Sequence, residues 1–180
     1  MRPIIDNFNR ANSTTLGTSS EGWSWTEVDG NIDIVSNRAS SQSSLDNSAR
    51  AESDLSSSDH YSEAVVYLIA GLNDRAGPAA RYAAAANTFY STRVFSVLNP
   101  GSDQMDIFKT VAGADTSLTT ANGTAPTGQT WRLTVNGSTL NTTANGVDKL
   151  GSITDTAITG NLRTGIFCNG SANNDLQFDD

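Results

Sequence analysis

The sequence predicts an all-β protein built as a two-sheet antiparallel β-sandwich, or jelly roll. The first observation is the composition: Ser, Thr and Asn make up 60 of the 180 residues, and 15 more are Gly. These residues are typical of a protein with many turns between short strands. The second observation is the pattern: short runs of alternating apolar and polar residues are separated by turn residues. The third is that helical periodicity is almost absent.

Length and charge narrow the class of protein. A chain of 180 residues fits one domain spanning 1–180, and a charged fraction of only 17% argues against a disordered chain. The net charge of −8 disfavours binding to nucleic acid phosphates. No apolar run approaches the roughly 18 residues of a membrane span, and we expect no secretory signal in MRPIIDNF. The single cysteine, Cys168, excludes an intramolecular disulfide and a multi-cysteine zinc site.

The first half of the chain predicts short strands around one long one. Residues 25–29 and 32–34 alternate between apolar and polar side chains, which is typical of strands. The serine-rich stretch 36–58 predicts long loops that join two short strands. Residues 60–72 (HYSEAVVYLIAGL) form the most apolar run, and they predict a central strand buried on both faces.

The second half adds a hairpin and two closing strands. Alanines in 78–90 favour a helix, but the Gly-Pro before them and the β-branched and aromatic residues after them favour a strand, which we predict. Residues 131–142 predict a hairpin whose Asn136-Gly137 forms a type I′ turn, and a second Asn-Gly follows at 145–146. Residues 163–168 and 176–179 predict the last strands.

Several longer stretches carry a resemblance to a known group of modules. They are FKTVAGADTSL, TGQTWRLTVNGSTLNTTANG, TDTAITGNLRTGIF and the closing LQFDD, together with the opening DNFNRANSTTLG and GWSW. In this order they resemble the concanavalin A-like, laminin-G-like jelly-roll modules of bacterial surface proteins and bacteriophage structural proteins. The resemblance covers nearly the whole chain.

The resemblance implies that the polar N-terminal stretch is ordered. In such modules the first strand lies beside the last, which would bury Phe8 near Phe178 and let Arg10 pair with an aspartate at either end of the chain. The alternative is a mobile terminus.

Calcium is the one cofactor that the resemblance implies. Many jelly rolls bind this ion where the first and last strands meet, which here would bring Asp6 near Asp179 and Asp180. The alternative is an ion pair between Arg10 and an aspartate, with the other acids in solvent.

The sequence lacks a recognisable catalytic set. Glycoside hydrolases of this fold carry Glu-x-Asp-x-x-Glu on one strand, and the nearest match has Glu52 and Asp54 but Ser57 in place of the third acid. We therefore interpret Glu52 and Asp54 as a solvated pair in a loop. The only histidine, His60, is predicted to have a structural or surface role, so the sequence predicts that the protein is not an enzyme.

Aromatic side chains are the candidates for contact with a glycan or a protein partner. Sugar recognition needs exposed rings with polar groups around them, and Trp23, Trp25 and Tyr61 are the candidates. For the two tryptophans the alternative is a place in the core, which the pattern slightly favours. Trp131 alternates with Leu133 and is predicted to be buried.

Two main hypotheses for function follow. The first is a bacteriophage virion protein, either a capsid decoration protein or a tail or fibre component, assembled in the host cytoplasm. It would bind other virion proteins, such as the major capsid protein, through strand edges, and it could form a homo-oligomer. The alternative is an extracellular carbohydrate-binding module or lectin of a bacterial surface or secreted protein. An atypical glycosidase is a third and weaker alternative.

Overall fold

The structure is a computed structural model that describes residues 6–42, 46–69, 74–95, 103–124, 127–170 and 176–179. Within these ranges it has fifteen strands and no helix, and hence no helix long and apolar enough to cross a membrane. The strands are β1 (Trp25–Asp29), β2 (Ile32–Val35), β3 (Arg38–Ser41), β4 (Asp46–Ala51), β5 (His60–Ile69), β6 (Arg75–Tyr82), β7 (Phe89–Phe95), β8 (Asp103–Val111), β9 (Ala114–Gly123), β10 (Gln129–Asn136), β11 (Thr139–Ala144), β12 (Val147–Asp148), β13 (Ile153–Thr154), β14 (Arg163–Asn169) and β15 (Leu176–Asp179).

The strands form two antiparallel sheets. The seven-stranded sheet has the order β1-β4-β14-β6-β7-β8-β9. The eight-stranded sheet has the order β12-β11-β10-β5-β15-β3-β2, with β13 paired to β11. Because neighbouring strands come from distant parts of the chain, each sheet can form only when the two halves of the sequence meet. The predicted two-sheet antiparallel sandwich is confirmed.

The core lies between the sheets and is built from inward-facing side chains of both sheets. Ile166 of the seven-stranded sheet and Trp131 and Phe178 of the eight-stranded sheet belong to one buried cluster, each at most 3% exposed. Thr92 and Thr142 bridge the two sheets inside the core with a hydroxyl–hydroxyl bond of 2.6 Å. Trp131 is a core residue, as its alternation with Leu133 predicts.

The N-terminal segment is ordered, but it is not a strand beside β15. Phe8 is 4% exposed and belongs to the same core cluster as Phe178, as expected. Between residue 6 and β1, however, the β-pairing of the described segment consists of the isolated bridges Ser13–Ile34 and Thr18–Ser24. The neighbours of β15 are β5 and β3, so the predicted pairing of the first strand with the last is wrong.

β5 is central, as predicted, but it is buried on one face only. Its residues alternate, with Ser62, Ala64 and Val66 buried and Tyr61, Glu63 and Tyr67 exposed. The apolar run 60–72 predicts burial on both faces because Tyr and Val count as apolar wherever they point; residues 70–72 of this run lie outside the described residues. Strands β6 and β7 are buried on both faces. The single strand predicted over residues 78–90 is wrong in its middle, because residues 83–88 form the loop that joins β6 to β7.

Tight turns join the hairpins, with one difference from the prediction. At Asn145-Gly146 both residues have positive φ, 48° and 77°, as a type I′ turn requires. Between β10 and β11, Asn136 pairs with Thr139, so the turn residues are Gly137 and Ser138, and only Gly137 has positive φ (57°). A glycine in the first central position is typical of type II′, so the predicted type I′ turn at 136–137 is wrong.

Candidate binding surface

Asp6 holds the N-terminal segment against the sandwich. Its carboxylate accepts two bonds from Arg10 (2.6 and 3.0 Å), one from the indole nitrogen of Trp25 (2.7 Å) and one from the Phe8 amide (2.9 Å). The Asp6 side chain is 1% exposed. Four donors therefore surround this carboxylate, and of the ion pairs expected for Arg10 the structure has the one with Asp6.

Of the predicted calcium ligands, the two that the structure describes each pair with an arginine. Asp179 accepts a bond from Nε of Arg38 at 3.0 Å, while Asp6 is enclosed by N–H donors, which repel a cation. Asp180 lies outside the described residues. Among the described residues no group of three or more His, Cys, Asp or Glu side chains is placed to hold a metal ion.

A polar depression lies where the N-terminal segment meets the eight-stranded sheet. It has a volume of about 210 Å³ and is lined by Asn7, Asn9, Ser36, Asn37, Arg38 and Asp179. We call it the asparagine depression. Every lining side chain carries hydrogen-bonding groups, and the three amides each offer both donors and an acceptor.

Local structure fixes the walls of the asparagine depression. Asn7 and Asn9 flank Phe8, whose ring is buried in the core, so their side chains stay at the surface. Ser36 and Asn37 form the turn between β2 and β3 with φ of 52° and 64°, and the Ser36 amide donates to the side chain of Asn12. Asparagine tolerates this left-handed conformation better than most residues, which favours it at position 37.

An exposed tyrosine stands beside the depression. Tyr67 is 41% exposed on β5, and the guanidinium of Arg38 lies 3.6 Å from its ring centroid. Arg38 therefore contacts the ring on one side and Asp179 on the other. Tyr67 has no partner on β15, because Gln177 pairs with Leu68 and Phe178 with Val66, so it is the extra residue of a β-bulge.

A second unit of the same composition lies further along β5. Tyr61 is 51% exposed, and the guanidinium of Arg132 lies 4.2 Å from its ring centroid. Arg132 donates to Glu63 at 2.6 Å. Both ends of β5 thus present a tyrosine ring against an arginine that is neutralised by a carboxylate.

The structure separates the three aromatic residues named from the sequence. Tyr61 is exposed, whereas Trp25 is partly buried, bonded to Asp6, and packed with its ring centroid 6.0 Å from that of Phe8. Trp23 is also partly buried. Tyr67 was missed, although alternation along β5 from Tyr61 places it on the same side; treating the strand as buried on both faces hid that signal.

The outer face of the seven-stranded sheet is filled by its own side chains. Arg93 points away from the sandwich core, yet it is fully buried between the rings of Phe108 and Phe167, 4.2 and 3.7 Å from its guanidinium. The same guanidinium donates to Asp115 and, at 3.0 Å, to the Thr110 hydroxyl. Side chains that close over one another in this way leave little room for a ligand at the centre of this face.

Glu52 and Asp54 are held by an arginine. Arg163 donates to both carboxylates, to Asp54 at 2.8 Å, and Arg50 donates to Glu52 at 2.8 Å. Burial alone would raise the pKa of Glu52, but the Thr26 hydroxyl and the charges of Arg50 and Arg163 lower it. The pair lies in the loop after β4, as predicted, and it is part of an ion-pair network.

His60 has a structural role. Its Nε2 accepts a bond from the Arg81 amide at 3.1 Å, which leaves the proton on Nδ1, 3.2 Å from the Ser57 carbonyl oxygen. Burial, together with the positive charge of Arg81, lowers the pKa of His60. The Arg81 side chain is 3% exposed and bonds to four further groups: the carbonyls of Ser58, Gly137 and Ile158 and the carboxylate of Asp59.

Solved structures share this architecture. The carbohydrate-binding module CBM66 from Bacillus subtilis superposes with a TM-score of 0.66 at 14% identity, covering 86% of this chain and 90% of that one. The chain has a concanavalin A-like jelly-roll fold. A β-1,3-1,4-glucanase (lichenase) derived from a mouse hindgut metagenome gives a TM-score of 0.58 at 7% identity over 96% and 93% of the two chains. The exoplasmic/lumenal domain of VIP36, in its Ca²⁺/Man2-bound form, gives 0.53 at 11% identity over 93% and 84%.

At these identities the likeness concerns the fold alone. Glucanases and a carbohydrate-binding module both occur among the similar structures, so the fold does not decide between hydrolysis and binding. No protein-family model and no curated protein matches the sequence.

Proposed function

We propose that the protein is a non-hydrolytic carbohydrate-binding module that holds a glycan at the asparagine depression and the adjoining ring of Tyr67. One observation carries the proposal: an exposed tyrosine ring lies beside a depression walled by amides, with a single arginine joining the two. Sugar rings have an apolar face that stacks on an aromatic ring, and hydroxyls that both donate and accept. The surface offers partners for each.

The polar groups of the depression suit hydroxyls better than a charged ligand. Asn7, Asn9 and Asn37 supply both donors and acceptors, while Arg38 and Asp179 neutralise each other at 3.0 Å. A carboxylate or phosphate would have to compete with Asp179 for Arg38, and a cation would have to compete with Arg38 for Asp179. A neutral sugar meets neither conflict.

Hydrolysis is disfavoured by the chemistry of the carboxylates. Glycosidases need one carboxylic acid with a raised pKa and a second carboxylate nearby. The pKa of Glu52 is lowered instead, and its partner Asp54 is held by the same arginine. The lining of the asparagine depression includes one carboxylate, that of Asp179.

The similar structures include a protein named as a carbohydrate-binding module and one solved in a Man2-bound form, which supports glycan binding as the class of function. An extracellular location follows from this proposal, because the polysaccharides that such modules bind lie outside the cell. The virion role, with its capsid partners and oligomer, stays a prediction.

The test is a polysaccharide and glycan array, followed by calorimetry on each hit. Tyr67→Ala is expected to weaken binding by about 1–2 kcal/mol, or about five- to thirtyfold, because it removes the stacking ring. Tyr67→Phe keeps the ring and should bind within about twofold of the wild type. Asn37→Gly removes an amide but tolerates the positive φ, and it should also weaken binding.

Val111→Ala is the matched control, since Val111 is 44% exposed but lies on β8 of the other sheet. Thermal unfolding of each variant shows whether its fold is intact. Unchanged affinity in both Tyr67→Ala and Asn37→Gly would refute this site, and an array without any hit would refute carbohydrate binding.

A further inference from the structure

We infer that the ligand is an uncharged, linear polysaccharide whose chain lies along β5 from the asparagine depression to Tyr61. This inference rests on the proposed function and names its substrate class. The surface concerned is the outward-facing row of β5, namely Tyr61, Glu63, Val65 and Tyr67, which we call the tyrosine strip.

The spacing of the two rings indicates a chain and not a single sugar. Tyr61 and Tyr67 are six residues apart on the same side of one strand, which places them about 20 Å apart at about 3.3 Å per residue. One sugar ring can stack on only one of them. A ligand that contacts both must therefore be extended and several units long.

Two outward-facing residues of the tyrosine strip, Glu63 and Val65, lie between the two rings. Val65 is partly buried, and Glu63 is held sideways by Arg132 of the neighbouring strand β10. Next to the strip, β10 presents Thr130 opposite Val65 and Thr134 opposite Tyr61. A chain lying on β5 would thus run beside threonine hydroxyls, which can bond to sugar hydroxyls along its length.

Charge favours a neutral chain. The arginines at the two ends of the tyrosine strip are each paired, Arg132 with Glu63 at 2.6 Å and Arg38 with Asp179 at 3.0 Å. The tyrosine strip, together with Arg132, Arg38 and Asp179, therefore carries no net charge, while the whole protein carries −8. An acidic polysaccharide would gain no free cation here and would be repelled by the rest of the protein.

Both rings are held in place before the ligand arrives. A guanidinium lies against each ring, at 4.2 Å from the centroid of Tyr61 and 3.6 Å from that of Tyr67. One ring face is thereby used, the second remains for a sugar, and the rotamer is restricted. Pre-ordered side chains lose less conformational entropy on binding, which suits repeated weak contacts along a chain.

The experiment measures affinity against chain length for neutral oligosaccharides of one to eight units, taken from whichever polysaccharide binds on the array. For the wild type, affinity should rise with length until the chain reaches both rings. Tyr61→Ala should leave the shortest binding oligosaccharide unaffected and weaken the octamer by about tenfold. Tyr67→Ala should weaken every length, because it removes the contact at the depression. Tyr61→Phe, which keeps the ring, is the matched control.

The two proposals fail in different ways. Affinity that does not rise with length, or an octamer unaffected by Tyr61→Ala, overturns the chain along β5 while carbohydrate binding stands. Tighter binding of a uronic acid polymer than of its neutral counterpart overturns the uncharged class. If no glycan of any length binds, both proposals are wrong.

Discussion

Replacing Asp6 by alanine should loosen the N-terminal segment, and the structure allows its effect to be estimated. The substitution leaves four N–H donors without their acceptor: two of Arg10, the indole of Trp25 and the amide of Phe8. A buried donor that loses its partner costs about 1–3 kcal/mol, but Arg10 is 24% exposed and water can solvate part of it. We expect a loss of about 3 kcal/mol in the free energy of unfolding.

Thermal and urea unfolding would measure this loss. For a chain of this size, about 3 kcal/mol corresponds to a fall in Tm of about 6–12 °C. Asp54→Ala is the matched control, because it also removes an aspartate from an arginine, yet Asp54 is 57% exposed and its pair should contribute less than about 1 kcal/mol. Asp6→Asn, which keeps one acceptor oxygen, should fall between the two.

Equal losses in Asp6→Ala and Asp54→Ala, within about 0.5 kcal/mol, would refute the conclusion that Asp6 holds the segment in place. The same experiment tests the calcium prediction. If Asp6 serves only hydrogen bonds, calcium or a chelator leaves the Tm of the wild type unchanged. A rise with calcium that Asp6→Ala abolishes would show that this carboxylate binds the ion instead.

Three further predictions concern buried polar groups. The pKa of His60 is lower in the folded protein than its unfolded value of about 6.5. The contribution of His60 to the free energy of unfolding is therefore complete above that pH and is lost as the pH falls through the folded pKa. Urea unfolding between pH 7 and 5 should show this loss, and the variant His60→Gln should not show it. Burial raises the pKa of the Cys168 thiol, so a thiol reagent at pH 8 should leave the native protein unmodified and should react with the protein unfolded in urea. Reaction at the same rate in the native and the unfolded protein would contradict the burial of Cys168. Asp115→Ala leaves the buried Arg93 guanidinium without its carboxylate, and it should lower the free energy of unfolding in urea by about 3 kcal/mol. Asp115→Asn should lower it by less. Equal losses in the two variants would show that the charge of Asp115 does not stabilise Arg93.

Local patterns in the sequence were sufficient for most of the fold. Alternation and turn residues located seven of the strands, β1, β2, β5, β10, β11, β14 and β15. The alanine-rich stretch 78–90, which favours helix by propensity alone, was predicted as one strand but contains the end of β6, a loop and the start of β7. The turn shift at Gly137 was not predictable from the Asn-Gly pair. The pairing of Asn136 with Thr139 is set by the register of β10 on β11, a non-local property.

The candidate site was only partly predictable, because it is assembled from distant segments. The sequence analysis named Tyr61 as a candidate contact for a glycan, and it named Asp179 as a candidate calcium ligand. Asn7 and Asn37 come together with Asp179 only after Phe8 enters the core and β15 inserts between β5 and β3. Polar residues in a chain so rich in Asn and Ser give no signal of their own that distinguishes a binding wall from an ordinary turn.

The bulge at Tyr67 has a consequence for how this protein can diverge. Val66 and Ile69 both point into the core although they are three residues apart, and the unpaired residue between them makes that possible. The side chain at position 67 therefore does not pack in the core, and residue 67 does not pair with β15. A substitution at position 67 can therefore change the outer surface of β5 while the core packing beneath it stays the same.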